Sequence, residues 1–264
     1  LALQAAREKW RGAPRFPVSV LTPLLLGLYL LPLAARDLTD YFVRWPGNAE
    51  VRFLYRADLH EAAARWKTAP PVGPVLISSS NLSPLDPLAL QLDAPQVAAR
   101  ARFFDPARAF VFPNGALATL LLTPPNRLAP EFNPPPADLR PPQFALDASF
   151  ADGLLFLGMD APAAARAGET ATVITHWQAG PNWPPPPLYL PVDPAQTPRG
   201  LTAFLHLLDD SGAYLAGADD FGAQPATLQP GDVVLQLHRL ALPADLPPGR
   251  YRLSVGLYDP FSSE

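Results

Sequence analysis

The chain contains no cysteine among its 264 residues. This absence excludes disulfide bonds, thiol catalysis and thiolate metal sites together. Lysine is nearly absent, the net charge is −4, and the basic residues are scattered instead of forming a stripe. A nucleic-acid partner is therefore not expected, because proteins that bind nucleic acids concentrate positive charge on one surface.

The sequence also has no strong catalytic motif. It contains no glycine-rich phosphate loop, no Gly-x-Ser-x-Gly elbow and no pair of histidines at metal-ligand spacing. We therefore predict no catalytic residue and no metal ligand, and any cofactor is unknown. His206 lies on an apolar predicted strand, where histidine is usually a hydrogen-bonded structural residue. A metal site shared with His238 would need a third ligand that the sequence does not identify.

An uncharged apolar run extends from Phe16 to Ala35 and follows four basic residues between Arg7 and Arg15. About 20 apolar residues in a helix match the hydrocarbon core of a membrane. The run predicts a transmembrane helix at 16–35, a cytoplasmic loop at 1–15 and outer domains beyond the cell membrane. A cleaved signal peptide and a buried helix are the alternatives, although the prolines of the run disfavour the buried helix. Because the chain starts at Leu1, we expect a piece of a longer protein.

A small α/β domain is predicted at 36–123. Asp58 and Glu61 have the spacing of a capping box, and Leu59, Ala62 and Ala63 then follow at helical spacing. Apolar runs interleaved with helical patterns indicate a small open sheet. The predicted strands are 51–55, 74–79, 101–104, 109–112 and 117–122, with a second helix at 85–92.

Proline is abundant, with 36 residues, and eight of them lie between Pro124 and Pro142. Because proline fixes φ and removes a backbone donor, we predict an extended linker at 124–143. The remainder, 144–264, is predicted to be an all-β immunoglobulin-like antiparallel sandwich, since short apolar strands alternate there with turn signals. Its predicted strands are 154–158, 170–177, 201–208, 214–218, 233–242 and 251–258.

A few polar and aromatic residues are weak candidates for ligand contact. Ser79 and Asn81 follow a predicted strand of the α/β domain, where an open sheet often binds ligands; a polar turn is the alternative. Trp183 and Tyr189 lie in or beside a proline-rich loop, where they could stack on a sugar or cover an edge of the sandwich. The acid pairs Asp209–Asp210 and Asp219–Asp220 are predicted to stabilise turns, because each lies next to glycine. Acid/base chemistry and a calcium site are their alternatives.

Two stretches of the chain carry a family resemblance. Residues 40–45, which read Asp-Tyr-Phe-Val-Arg-Trp, precede Val51 and a helix with Ala62 and Ala63. This order resembles the segment after the last membrane helices in bacterial glycosyltransferases similar to dolichyl-phosphate-mannose protein mannosyltransferases. The β part resembles the C-terminal domain of many such enzymes through 204–209, Gly212, Asp219, 242–253 and 255–259.

The resemblance implies an enzyme that moves sugar from a polyprenyl-phosphate carrier to a glycan or protein acceptor. The catalytic acids of that family lie on a loop that has no counterpart here, so no catalytic residue carries over. We therefore expect the C-terminal fragment of an integral membrane glycosyltransferase, with a last span and non-catalytic outer domains. Its expected partners are the lipid bilayer, the polyprenyl-phosphate sugar and the acceptor. The alternative is a membrane-anchored β-sandwich module for binding or adhesion.

Overall fold

The computed structural model describes residues 18–150, 153–183 and 200–260, with side chains from Pro23 onward. The predicted cytoplasmic loop at 1–15 and the first two residues of the predicted span lie outside these ranges. The chain divides into two compact units, 1–57 and 58–264.

The first unit is helical throughout its described part. It contains α1 (Val18–Thr39), a π-helical turn (Asp40–Arg44), α2 (Trp45–Gly47) and α3 (Ala49–Leu54). The predicted strand at 51–55 is therefore wrong. The side chain of Asn48 accepts hydrogen bonds from the amides of Glu50 (2.8 Å) and Val51 (3.3 Å), and this cap starts a helix despite the β-branched and aromatic residues that follow.

The first helix does not provide a membrane span. It contains Pro23 and Pro32 and carries Arg36 in its last turn. Among the residues that the structure describes, no helix is long and apolar enough to cross a membrane. The predicted transmembrane helix at 16–35 is therefore wrong, and so is the cell-membrane location that depended on it.

The second unit begins with an α/β layer built on a short parallel sheet. In this sheet β1 (Val75–Ser78) lies between β2 (Ala101–Phe104) and β4 (Thr119–Leu121). The sheet is covered by α4 (Ala57–Thr68), α5 (Leu85–Asp93) and α6 (Pro95–Ala98). Val75 and Ile77 pack with these helices, whereas Leu76 belongs to the core of the β-sheets that follow. Both faces of the parallel sheet are therefore buried.

The rest of the second unit is antiparallel. A five-stranded sheet has the order β3-β10-β7-β6-β5, and a three-stranded sheet has the order β11-β8-β9. The two sheets share apolar core residues, so they pack face to face. The chain is thus a mixed α/β protein with antiparallel sheets. The strands are β3 (Ala109–Phe112), β5 (Phe144–Ser149), β6 (Leu154–Asp160), β7 (Thr170–Ala179), β8 (Thr202–Leu208), β9 (Tyr214–Asp220), β10 (Val233–Ala241) and β11 (Arg252–Tyr258).

Strand β3 joins the α/β layer to the antiparallel part. The sequence predicts this strand within the α/β sheet, but it pairs with β10, from Val233 opposite Phe112 to Gln236 opposite Ala109. The proline-rich segment at 124–143 also lies against this core, because Phe132 is buried in it and Glu131 forms an ion pair with Arg239 at 3.0 Å. The α/β and antiparallel parts therefore share one apolar core.

A buried ion pair links the same two parts of the second unit. The guanidinium of Arg102 on β2 donates two hydrogen bonds to the carboxylate of Asp232, which lies directly before β10. Both side chains are almost completely buried. Asp232 also accepts hydrogen bonds from the amides of Asn114 (3.0 Å) and Gln229 (2.7 Å). All partners lie within the protein, as a buried charge requires.

Replacing Asp232 by asparagine is expected to lower the free energy of unfolding by about 3–5 kcal/mol, because the change leaves the buried Arg102 cation without its anion. The two backbone amides bond to different carboxylate oxygens, so the introduced amide keeps an oxygen for one of them, and the loss combines the unpaired charge with one lost hydrogen bond. The double variant Arg102→Met with Asp232→Asn should recover more than half of the loss in urea denaturation. A double variant no more stable than the single one would contradict this explanation.

Candidate functional site

The candidate site lies on the outer face of the three-stranded sheet. Along β8, Ala203, Leu205 and Leu207 are buried against the core, so Phe204 and His206 face away from it. Opposite them, β11 places Gly256 beside Phe204 and Ser254 beside His206. On the other side, β9 places Asp219 beside Phe204 and Gly217 beside His206. The pairing of three strands thus gathers residues that are distant in the sequence.

Four aromatic side chains line this surface, which we call the aromatic face: Phe204, His206, Tyr214 and Tyr258. The rings of Phe204 and His206 are stacked, with centroids 4.6 Å apart and planes at 28°. Tyr214 meets His206 edge to face at 5.1 Å, and Tyr258 lies 6.4 Å from Phe204. Tyr214 is 61% exposed, so its ring is accessible to a binding partner.

Asp219 supplies the negative charge of the aromatic face. One carboxylate oxygen lies 3.0 Å from Nε2 of His206, and the other accepts a long hydrogen bond of 3.4 Å from the hydroxyl of Tyr258. Because an ionised carboxylate only accepts, Nε2 of His206 carries a proton and donates to Asp219. Asp219 keeps 35% of its side chain exposed. Its oxygens therefore have further lone pairs for a ligand.

The hydroxyl of Tyr258 keeps its proton at neutral pH. Partial burial raises the pKa of Tyr258, and the nearby negative charge of Asp219 raises it further. The phenol consequently acts as a hydrogen-bond donor under ordinary conditions. The aromatic face thus has a neutral hydrogen-bond donor, the hydroxyl of Tyr258, beside a charged acceptor, the carboxylate of Asp219.

Two glycines make room for the rings. A Cβ atom at Gly256 would lie 2.4 Å from the ring of Phe204, and one at Gly217 would lie 2.8 Å from the ring of His206. The rings of Phe204 and His206 therefore lie directly on the backbone of the neighbouring strands, and any side chain at these positions would lift them. The close approach of these rings to the backbone depends on both glycines.

The predicted ligand contacts of the α/β part have partners within the protein. The hydroxyl of Ser79 is buried and donates to the carboxylate of Asp86 at 2.8 Å. The hydroxyl of the preceding Ser78 accepts from the amide of Thr123 and the side chain of Asn126, both at 3.1 Å. Asn81 is exposed in the turn after β1. The role of Ser79 and Asn81 in ligand contact stays a prediction.

Trp183, one of the predicted aromatic contacts, is not part of the aromatic face. Trp183 is 5% exposed and packs in the core, and its buried indole N–H has no hydrogen-bond partner within the described part of the chain. Tyr189 lies outside the described residues. The burial of Trp183 thus agrees with the alternative in which this side chain covers part of the sandwich, not with stacking on a sugar.

The acid pairs behave differently from one another. The carboxylate of Asp209 accepts from the amide (2.8 Å) and hydroxyl (2.6 Å) of Ser211 and from the amide of Ala213 (2.8 Å), so the predicted turn is confirmed. These hydrogen bonds, above all the one from Ser211, hold the pKa of Asp209 below its usual range. Asp219 lies within β9, so the turn prediction is wrong there. The described residues contain no group of three or more His, Asp or Glu side chains suited to hold a metal ion.

Sequence reasoning missed the aromatic face because cross-strand pairing is not visible in a single sequence. A usable signal was present in β8, where strict alternation puts Phe204 and His206 on the face opposite to the leucines. The alternation of β11 likewise separates Tyr258 from Val255 and Leu257. The partners on β9 could not be identified without the register.

The chain matches no known family model, and searches of curated proteins and of solved structures likewise find no significant match. The geometry of the chain itself must therefore carry any functional proposal.

Replacing Gly256 by alanine is expected to displace the ring of Phe204 and cost about 1–3 kcal/mol in the free energy of unfolding. The displaced ring should also change the NMR shifts of the stacked His206 ring. Gly249→Ala is the matched control, since a Cβ there meets its nearest neighbour at an ordinary 3.8 Å. Unchanged His206 shifts in Gly256→Ala would contradict the stacked arrangement.

Replacing Asp209 by asparagine is expected to lower the melting temperature at pH 7. A carboxylate whose pKa is lowered by folding stabilises the protein above its unfolded pKa and loses this effect as the pH falls through its folded pKa. The difference between the two proteins should therefore shrink below about pH 4. Thermal unfolding measured from pH 7 to pH 3 gives this difference in melting temperature. Asp210→Asn, at the exposed neighbouring position, is the control. If the difference in melting temperature between the two proteins is as large at pH 3 as at pH 7, the lost stability has another cause.

Proposed function

We propose that this chain is a non-catalytic glycan-binding module that holds a neutral oligosaccharide on the aromatic face. The observation that carries the proposal is the cluster of partly exposed rings packed onto Gly256 and Gly217, with one carboxylate beside them. Exposed aromatic surface on a folded domain is typical of a binding site.

The rings supply the apolar part of sugar recognition. One side of a pyranose ring presents C–H groups that are slightly positive, and these stack on the electron-rich face of an aromatic ring. Ring centroids of the aromatic face are 4.6 Å to 6.4 Å apart, so the rings form one continuous aromatic cluster.

The polar groups supply orientation. Asp219 can accept hydrogen bonds from two sugar hydroxyls. The hydroxyl of Tyr214 lies near Gly217 at the exposed end of the face. Because Asp219 is anionic, a neutral sugar is favoured over an acidic one.

The same residues do not support catalysis. Hydrolysis of a glycoside normally requires two carboxyl groups on either side of the bond, and within the described part of the aromatic face Asp219 is the carboxylate in contact with the rings. Ser254 lies opposite His206, as a serine nucleophile and a histidine base would. Among the described residues, however, no hydrogen bond joins these two side chains. Nε2 of His206 is instead hydrogen-bonded to the carboxylate of Asp219.

The proposal also agrees with the role implied by the sequence resemblance to bacterial glycosyltransferases. In such an enzyme an accessory domain would hold the acceptor glycan while the reaction takes place elsewhere. The aromatic face provides a surface for that task without any catalytic residue of its own.

A glycan array followed by isothermal titration with the tightest neutral oligosaccharide tests the proposal. Tyr214→Ala should weaken binding about tenfold, because it removes one exposed stacking ring. Asp219→Asn should weaken it by a similar factor through loss of a charged acceptor, which is worth about 1.5–3 kcal/mol in a hydrogen bond.

Phe144→Ala is the matched control, since Phe144 is an aromatic residue of β5 that is 47% exposed and lies on the other sheet. It should bind as the unmodified chain does. Failure of every neutral glycan to bind, or equal losses in Phe144→Ala and Tyr214→Ala, would exclude the aromatic face as a glycan site.

A further inference from the structure

A second possible binding site lies between the two antiparallel sheets, at one end of the sandwich. A groove of about 620 Å³ opens there. Its floor is formed by apolar residues of both sheets, among them Ala171 and Leu240 from the five-stranded sheet and Leu207 and Leu253 from the three-stranded sheet. The volume is within the range of about 300–1,000 Å³ found for small-molecule sites.

Two loops form the walls of the groove. The segment 161–167 contributes mainly alanines, whose short side chains leave the space open. The segment 243–249 is held in place by the hydroxyl of Tyr251, which donates to the carbonyl of Pro247 at 2.5 Å, as in the tyrosine corner of β-sandwiches. The amide of Gly168 also donates to the carbonyl of Pro243 at 3.1 Å, which joins the two walls. The groove is thus formed before any ligand binds.

The charged residues that line the groove have one sign. They are Arg166 and Arg250, one on each wall. Neither guanidinium forms an ion pair or a side-chain hydrogen bond within the described part of the chain. Two acids lie nearby in the sequence, Glu169 and Asp245, but neither lines the groove. The groove therefore combines an apolar floor with two unpaired cations.

We propose that this groove binds a long-chain alkyl phosphate, with the chain on the apolar floor and the phosphate monoester between Arg166 and Arg250. A phosphate monoester carries about −1.5 to −2 charges at pH 7, which matches two guanidinium groups. Arginine also binds phosphate through paired hydrogen bonds of fixed geometry. A neutral or cationic amphiphile of the same chain length would use the floor but not the arginines.

Isothermal titration of the full chain with dodecyl phosphate, below the concentration at which it forms micelles, tests the proposal. Saturable binding of one molecule per chain is expected, and dodecyltrimethylammonium should bind at least about tenfold more weakly. The double variant Arg166→Gln with Arg250→Gln should reduce the affinity for dodecyl phosphate about tenfold and abolish the preference for the anion. The double variant Arg127→Gln with Arg140→Gln changes the net charge equally at exposed positions away from the groove and should bind normally.

Filling the groove gives an independent readout. Ala164 is an exposed wall residue, so Ala164→Trp should remove binding while the fold is kept; Ala137→Trp, at a position that does not line the groove, should not. Equal binding of both amphiphiles, equal losses in the two arginine double variants, or undiminished binding in Ala164→Trp would each overturn the proposal. Tyr214→Ala should bind dodecyl phosphate normally, so this test is separate from that of the aromatic face.

Discussion

The fold of the second unit depends on one buried ion pair, between Arg102 of β2 and Asp232 before β10. Two charges taken out of water are costly unless every partner is in place, and here the carboxylate also receives two backbone amides. The pair fixes the start of β10, and β10 is hydrogen-bonded to both β3 and β7. A shift of this strand by one residue would separate the charges and reverse the facing of its side chains. The ion pair thereby couples the α/β layer to the register of the five-stranded sheet.

This arrangement determines which surface remains available for binding. Strand β10 is buried at every position from Val233 to His238, as expected of a strand that is covered on both faces. His238 illustrates the environment, since burial lowers its pKa and keeps the ring neutral, with hydrogen bonds to Thr175 and to the carbonyl of Ala218. Strand β8 instead alternates between buried and partly exposed residues. The three-stranded sheet therefore has a face on which rings and charges can remain accessible, and the aromatic face lies there.

The sequence predicts local elements better than their partners. The strand at Thr170–Ala179 and the helix at Leu85–Asp93 lie within two residues of their predicted bounds, because each has a clear period and clear breakers. The four apolar residues of β3 carry no information on which sheet they join, and the prediction placed them in the wrong one. The Arg102–Asp232 pair is separated by 130 residues, and no local pattern indicates it. The helix at Ala49–Leu54 was missed because one capping side chain outweighed strand propensity. The span at 16–35 was predicted from the length of an apolar run and the basic residues before it, but no helix among the described residues is long and apolar enough to cross a membrane.

The aromatic face and the groove draw on different parts of the same sandwich. The face needs outward residues of three strands and two glycines beneath the rings. The groove needs inward residues at the ends of strands: Ala171 is the second residue of β7, whereas Leu207 and Leu240 are each next to last in β8 and β10. Antiparallel pairing brings these ends to the same side, where the loops at 161–167 and 243–249 attach. Side chains on opposite faces of a strand do not touch, so changes at one site should leave the other intact. Two ligands of different chemistry can consequently be held by one small sandwich without competing for the same atoms.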